Sequence, residues 1–259
     1  MKSNYGEVSV ETKGHVAVLT FSRPPNNHVS VDSMKALADA LNDVDAETNL
    51  RVSVLAAGGR VFCAGADLVN PGGVGAEGMS GINPLYVEAV RLFSAKKPIV
   101  AAVQGAAVGA GLGLALVADF RVVAPEARFT ANFVKLGFHP GFGITHTLPR
   151  VIGQQRAALL CMTGRRITGE QAYEWGLADA IAPLEELQDA ALALANEIAE
   201  AAPLAVQSTR ATFRAGLAEA VKAQTDHELT EQTWLRKTKD FAEGVRAVNE
   251  RRLGNFVGA

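Results

Sequence analysis

Lys97-Pro98-Ile99-Val100-Ala101-Ala102-Val103-Gln104-Gly105-Ala106-Ala107-Val108-Gly109-Ala110-Gly111-Leu112-Gly113 is the stretch on which the fold turns. Pro98 to Gln104 is a continuous apolar run of strand length, with proline only at its first position. Gly105 to Gly113 reads as a glycine/alanine turn feeding a short helix to Ala118, and a second strand follows over Phe120 to Ala124. A strand, a side-chain-poor turn, a helix and another strand in immediate succession point to an α/β domain.

The same alternation extends towards the N-terminus. Val52 to Ala57 reads as a short buried strand ending in Gly58-Gly59, and Tyr86 to Ala95 has helical periodicity. Ser33 to Asn49 predicts a helix with Met34, Leu37, Leu41 and Val44 on one face. Val8 to Phe21 predicts two strands joined at Lys13-Gly14, and Arg23-Pro24-Pro25-Asn26-Asn27-His28 predicts a loop. Phe62 to Leu68 reads as a loop and a helix start, and Pro71 to Gly81 as a glycine-rich mobile segment. Beyond residue 155 strand signals become scarce. Helices are expected over Gln154 to Met162, Gly169 to Trp175, Glu185 to Ala201, Leu204 to Ala215 and Leu217 to Lys239, punctuated by Gly164, Gly176, Pro183 and Pro203. No repeat or long linker separates these parts. The expected organisation is a core over 1–198 with a helical C-terminal region over 199–259.

Composition narrows the function classes. The 259 residues carry 25 Lys and Arg against 27 Asp and Glu, a net charge of −2, which argues against holding nucleic acid or anionic membrane through bulk charge. No apolar run reaches the roughly 20 residues of a membrane helix. Cys63 and Cys161 form neither a disulfide framework nor a metal-ligand spacing, so no metal site is expected. Met1 to Thr12 is polar and acidic, without a signal-peptide core, and a cytoplasmic location is expected. Aromatic residues make up only 6 %, whereas glycines number 25 and cluster.

Three glycine segments carry chemistry: Phe62 to Leu68, Gly105 to Gly113, and Leu136-Gly137-Phe138-His139-Pro140-Gly141-Phe142-Gly143 before a helix-like Thr145 to Val151. Side-chain-poor turns between strand and helix leave N–H groups bare at the positive end of the helix, where they can hold a phosphate or polarise a carbonyl oxygen. One such turn is equally well read as close packing. Two after separate strands suggest a pair of donors converging on one oxygen. Dinucleotide binding fits poorly, because Gly109-x-Gly111-x-Gly113 has Leu114 where GxGxxG needs its third glycine. No Gly-Lys-Ser/Thr follows any of these turns, so a P-loop is excluded.

With these residues in view, the chain resembles the enoyl-CoA hydratase/isomerase (crotonase) family along nearly its whole length. The resemblance is carried by Arg23-Pro24-Pro25 to Asn27, Phe62 to Leu68, Lys97 to Gly105, Gly109-Ala110-Gly111 and Ala118-Asp119-Phe120-Arg121. It continues through Gly137 with Pro140, Leu148-Pro149-Arg150, Gly164-Arg165-Arg166-Ile167, Trp175-Gly176-Leu177, and Glu243-Gly244-Val245 to Arg251-Arg252. It implies an α/β crotonase-like spiral of ββα repeats with a helical C-terminal region, assembled as a homotrimer or a dimer of trimers. The C-terminal region would serve oligomerisation and lid roles, with Leu217, Val221, Leu229 and Leu235 as apolar positions for the contact. It brings no cofactor, acyl-CoA being the substrate or ligand. It places the thioester oxygen in an oxyanion hole made by the N–H groups of Ala66 and Ala110. Asn26, His28, Ala64, Asp67 and Leu68 would lie along the coenzyme, and Arg251 near a CoA phosphate. Gly109, Gly113, Phe133 and Gly141 would border the acyl group.

The chain departs from the family where proton transfer is concerned. Hydratases that it resembles carry glutamates at the positions of Gly113 and Phe133, and some isomerases and a dehalogenase carry a carboxylate at that of Gly141. None of the three residues present can move a proton. Phe133 makes its part of the pocket apolar, which favours a hydrocarbon or aryl acyl group over an ordered water. His139 is the candidate replacement, because imidazole titrates near neutral pH. Read blandly, it is a loop histidine bonded to backbone. His146 and Glu88 are weaker candidates, and buried Cys63 would be a poor nucleophile. The expectation is an acyl-CoA enzyme that favours isomerisation over hydration. The rival reading is a catalytically silent acyl-CoA-binding paralogue.

Overall fold

The computed structural model of the chain describes residues 1–66 and 83–259. β1 (Asn4–Tyr5), β2 (Val8–Lys13) and β3 (Val16–Phe21) run antiparallel. α1 (Val31–Ala46), begun by a reciprocal Ser30–Ser33 cap, leads to β4 (Val52–Ala57), and α2 (Pro84–Phe93) leads to β5 (Ile99–Val103). The chain then leaves this sheet. β6 (Ala106–Val108) starts a second sheet, and α3 (Ala110–Val117) returns the chain to the first as β7 (Phe120–Val123).

A second excursion follows through β8 (Arg128–Thr130), a 3-10 turn over Asn132–Leu136, α4 (Ile144–Ile152) and α5 (Gln154–Thr163). β9 (Arg166–Thr168), α6 (Gly169–Glu174) and β10 (Ala180–Ile181) close the spiral. The first sheet has the order β1-β2-β3-β4-β5-β7-β10, parallel from β3 onwards, and the second the order β6-β8-β9.

Both faces of the central strands are covered, which is why they read as continuous apolar runs. On one face Val52, Val54, Ala56, Val100, Ala102 and Val122 pack against Leu187, Ala191, Ala195 and Ala199 of α7 (Leu187–Glu200). The alternate residues, Leu55, Ala57, Ile99, Ala101 and Val103 among them, join the larger core with α1, α2 and α3. The boundary expected between 198 and 199 falls inside the last turn of α7. α8 (Pro203–Phe213), α9 (Leu217–Leu235) and α10 (Lys239–Asn249) complete the helical C-terminal region.

Several expectations are corrected. Gly105 to Gly113 is not a simple turn, because Ala106–Val108 pairs with β8 as a strand. β8, β9 and β10 have only two or three residues each, too few for a period to show. The helix expected over Leu217 to Lys239 stops at Leu235, and Thr238, whose side chain accepts from Phe241 N–H, caps α10. Leu217 and Val221 are buried in the chain's own core, and Leu229 and Leu235 are half-buried against it. Among the described residues no helix is long and apolar enough to cross a membrane. No group of three or more His, Cys, Asp or Glu side chains among them is placed to hold a metal ion.

One ionic node ties the helical region to the sheet. Asp119, between α3 and β7, accepts Arg210 Nε at 2.8 Å, Arg214 Nη1 at 3.0 Å and the Ile99 N–H at 2.9 Å. Arg210 is buried and Arg214 nearly so, so removing the carboxylate leaves two guanidinium groups without their counter-charge. Asp119→Ala is expected to cost about 3–5 kcal/mol in urea unfolding. Asp226→Ala, which breaks the exposed Lys222–Asp226 pair, is expected to cost no more than about 0.5 kcal/mol. Equal losses would show that the node anchors nothing.

Candidate active site

Residues 63–66 run as an extended segment wedged between two others. On one side Ala64 N–H bonds the Asn26 carbonyl, Val29 N–H bonds that of Gly65, and His28 Nδ1 lies 3.2 Å from the same oxygen. On the other, Cys63 exchanges both backbone hydrogen bonds with β6, taking the Val108 N–H and donating to the Ala106 carbonyl. The approach is too close for side chains at two places. A Cβ on Gly65, at φ 89°, would lie 2.7 Å from the Val108 carbonyl oxygen, and one on Gly111 would lie 2.1 Å from that of Cys63. Glycine is therefore required at both positions.

This wedge orients two N–H groups. In a trans peptide the C=O and N–H point opposite ways. Gly65 C=O points at Val29, so Ala66 N–H points away from that loop. Gly109 C=O accepts from Leu112 and Gly113, so Ala110 N–H points backward out of the start of α3. Among the described residues neither N–H has a backbone acceptor, and both alanines line one cavity. The N-terminal end of α3 adds its positive dipole there. A carbonyl oxygen that gains negative charge fits such a place.

The rest of the wall is aromatic and polar. Phe133, Leu136, Phe138 and Phe142 line it with Leu85, Asn83, Tyr86, Asn132, Gln232 and Arg236. Phe133 and Phe138 meet edge to face at 5.4 Å, and Arg236 lies over the Phe138 ring. Tyr86 Oη donates to Gln232 Oε1 at 2.9 Å, and Gln232 Nε2 donates to the carbonyls of His139 and Pro140. Burial, with the negative charge of Glu228, pushes the Tyr86 phenol well above its ordinary range and keeps it protonated. Burial also pushes the Cys63 thiol up to about 12, so it is no nucleophile.

Of the expected site residues, Ala64, Ala66, Gly109, Ala110, Phe133 and Gly141 share this cavity. Asn26 and His28 flank the extended segment on its far side, and Arg251 is exposed near the end of the chain. Asp67 and Leu68 lie outside the described residues. His139 is not among the lining residues. Its Nδ1–H is held by the Pro140 carbonyl at 2.8 Å and its ring stands edge-on to His227. His146 Nε2 is buried without a partner, and burial and Arg150 keep the ring neutral. Glu88 pairs with Arg91. Tyr86, Gln232 and Arg236 were not singled out in the sequence. Tyr86, a lone phenol in an apolar helix, gave a faint signal, and the two α9 residues in a polar helix gave none.

Gly113 and Gly141 prove to be filled places. A Cβ on Gly113 would lie 2.5 Å from Phe142 Cδ1, and one on Gly141 would lie 2.0 Å from Tyr86 Oη. Phe142 is fully buried with φ 64°, the left-handed region, so its ring is held over Gly113 by an unusual backbone.

The sequence model described as enoyl-CoA hydratase/isomerase matches residues 11–259. The chain is 36 % identical to the 1,2-epoxyphenylacetyl-CoA isomerase of Escherichia coli K12 over 250 residues, covering 94 % of this chain and 95 % of that one. It is 34 % identical to the (E)-benzylidenesuccinyl-CoA hydratase of Thauera aromatica, covering 97 % and 99 %. The crystal structure of an enoyl-CoA hydratase/isomerase from Pseudoalteromonas atlantica T6c superposes with a TM-score of 0.85 at 29 % identity, covering 97 % of this chain and all of that one.

The filled place at Gly113 is testable by coupling. Alanine gains about 1 kcal/mol over glycine inside a helix, yet Gly113→Ala is expected to lose about 1–3 kcal/mol through overpacking against Phe142. Phe142→Ala alone is expected to lose about 3–5 kcal/mol through its cavity. The double variant should cost clearly less than the sum in urea unfolding. Additive losses would mean that the ring does not exclude a side chain at 113.

Proposed function

The chain belongs to the enoyl-CoA hydratase/isomerase family, and on that premise we propose that it holds an acyl-CoA thioester and stabilises its enolate, favouring isomerisation over hydration. The observation that carries this reading is the pair of outward-turned N–H groups at Ala66 and Ala110 on one cavity wall. In the proposal the thioester oxygen lies between them and the acyl group lies against Phe133, Phe138 and Gly141, with Gly109 at the turn. Asn26, His28, Ala64, Asp67 and Leu68 run along the coenzyme, and Arg251 serves a phosphate. The aromatic lining suits an aryl or hydrocarbon acyl group, and the two relatives above are named for a 1,2-epoxyphenylacetyl and a benzylidenesuccinyl thioester.

Isomerisation moves a proton between carbons of one substrate and needs no ordered water. Phe142 and Tyr86 fill the space that side chains at residues 113 and 141 would take, and Phe133 is apolar, so none of the three positions offers a group to activate a water. In this reading His139 is the proton carrier, acting through Nε2, since Nδ1 is held by Pro140. One observation favours the rival, a binder without turnover: among the described residues no carboxylate and no imidazole lines the cavity. We carry forward the cytoplasmic location and the trimer or dimer of trimers as parts of the same proposal.

Phenylacetyl-CoA in D₂O separates the readings, because exchange of its α-hydrogens reports enolate formation, whereas benzoyl-CoA has no α-hydrogen and reports binding alone. The enzyme reading expects benzoyl-CoA to bind in calorimetry and phenylacetyl-CoA to exchange. Ala110→Pro removes one N–H at the first helical position, where proline is tolerated. It should slow exchange by about 10²–10³-fold. His139→Ala should abolish exchange and leave benzoyl-CoA binding intact. Binding without exchange in the wild type establishes the silent paralogue, and absence of binding overturns the ligand class.

A further inference from the structure

Helix α9 sends two buried polar side chains, one turn apart, onto a single stretch of cavity wall. Glu228 is fully buried and Gln232 is 1 % exposed. Gln232 Nε2 donates to the His139 carbonyl at 2.9 Å and the Pro140 carbonyl at 3.2 Å. Glu228 accepts the Gly143 N–H at 2.7 Å, the Thr145 N–H at 3.2 Å and the Thr145 hydroxyl at 2.6 Å. The segment is thus gripped by its carbonyls on one side of Phe142 and by its N–H groups on the other.

Phe142, between the two grips, has φ 64°. A bulky residue stays in that region only where its surroundings over-determine it. α4 begins at this point with no side-chain cap of its own, since Gly143 occupies the cap position, and Glu228 supplies the missing acceptor from another helix. Gln232 meanwhile fixes the Tyr86 hydroxyl in the space beside Gly141. Phe142, through its flanking residues, and Tyr86, through its hydroxyl, are therefore both held from α9.

We propose that Glu228 and Gln232 are positioning residues for the cavity: a two-point clamp that holds residues 139–145 and, through Phe142 and Tyr86, sets the width of the wall facing the acyl group. Only the nature of the ligand rests on the acyl-CoA reading, and the clamp itself is a property of the free protein. The ionisable groups facing Glu228 are Tyr86 from α2 and Cys161 from α5, both kept neutral by burial. α4 carries His146, also kept neutral, and Arg150, and on α9 itself His227 and Glu231 are near in sequence. Burial pushes Glu228 up to about 7, so the clamp gains its charge near neutrality. A carboxyl raised in the folded state contributes stability below its ordinary value near 4.5 and loses it as pH rises through about 7. The charged clamp grips N–H groups more strongly while lowering overall stability.

Glu228→Gln keeps the size and removes the charge. Backbone hydrogen exchange of the free protein, corrected for the intrinsic pH dependence, is the first readout. Protection of the Gly143 and Thr145 amides should fall by about tenfold in the variant, and in the wild type should rise between pH 6 and pH 8. The melting temperature of the variant should gain on that of the wild type over the same range. The second readout is calorimetry with free CoA and benzoyl-CoA. The variant should weaken benzoyl-CoA and leave free CoA unchanged. Gln232→Met, which frees the His139 and Pro140 carbonyls and leaves Glu228 in place, should lower the same protection and weaken benzoyl-CoA while keeping the pH dependence, which keeps the test alive if Glu228→Gln fails to fold. Unchanged protection in both variants overturns the clamp, as does an equal loss for CoA and benzoyl-CoA. Failure of the wild type to bind either compound defeats the acyl-CoA reading and leaves the exchange result to decide the clamp.

Discussion

The approach of two backbone segments, residues 63–66 and 108–111, is the constraint on which the site depends. They come so near that a single methyl group at Gly65 or Gly111 would strike a carbonyl oxygen. Their contact runs through β6, and β6 exists because the chain leaves the main sheet after β5 and returns as β7. The spiral therefore does more than bury apolar strands. It sets the start of α3 against an extended segment that is otherwise fastened to the loop at residues 26–29. Two N–H groups from distant parts of the chain then face one cavity with no side chain spent on holding them.

That dependence explains what could be read in the sequence. The buried strands β4, β5 and β7 were legible because continuous apolar runs bounded by glycine have few other uses. The side-chain-poor turns were legible because glycines record the absence of side chains, whereas the choice of Ala66 and Ala110 came from the family resemblance. The three-residue strands β6, β8 and β9 were not, because so few residues show no period. Tyr86, Glu228 and Gln232 were also hidden. Tyr86 and Gln232 are 146 positions apart, and nothing local to either points to the other. The expected empty acid positions show the limit most clearly. That Gly113 and Gly141 lack side chains is plain in the sequence, but what occupies their space is a tertiary fact.

Three buried polar side chains at and behind the cavity wall are hydrogen-bonded within the protein. Tyr86, Gln232 and Glu228 carry hydrogen bonds that run from α2 through α9 to the loop before α4. Buried polar groups are costly unless satisfied, and satisfied networks restrict the fold to one arrangement. Here that arrangement holds the glycine-rich stretch from residue 137 to residue 143 as a defined wall. The helical C-terminal region thus has a part in shaping the cavity as well as in covering the sheet.

The Phe142 ring and any side chain at residue 113 are rival tenants of one volume. A carboxylate at residue 113 would meet the ring, and removal of the ring alone would leave a void. The two positions are best changed together, with the left-handed backbone at residue 142 that seats the ring. Seen over generations, the packed ring yokes the two positions: neither can drift far while the other stays as it is.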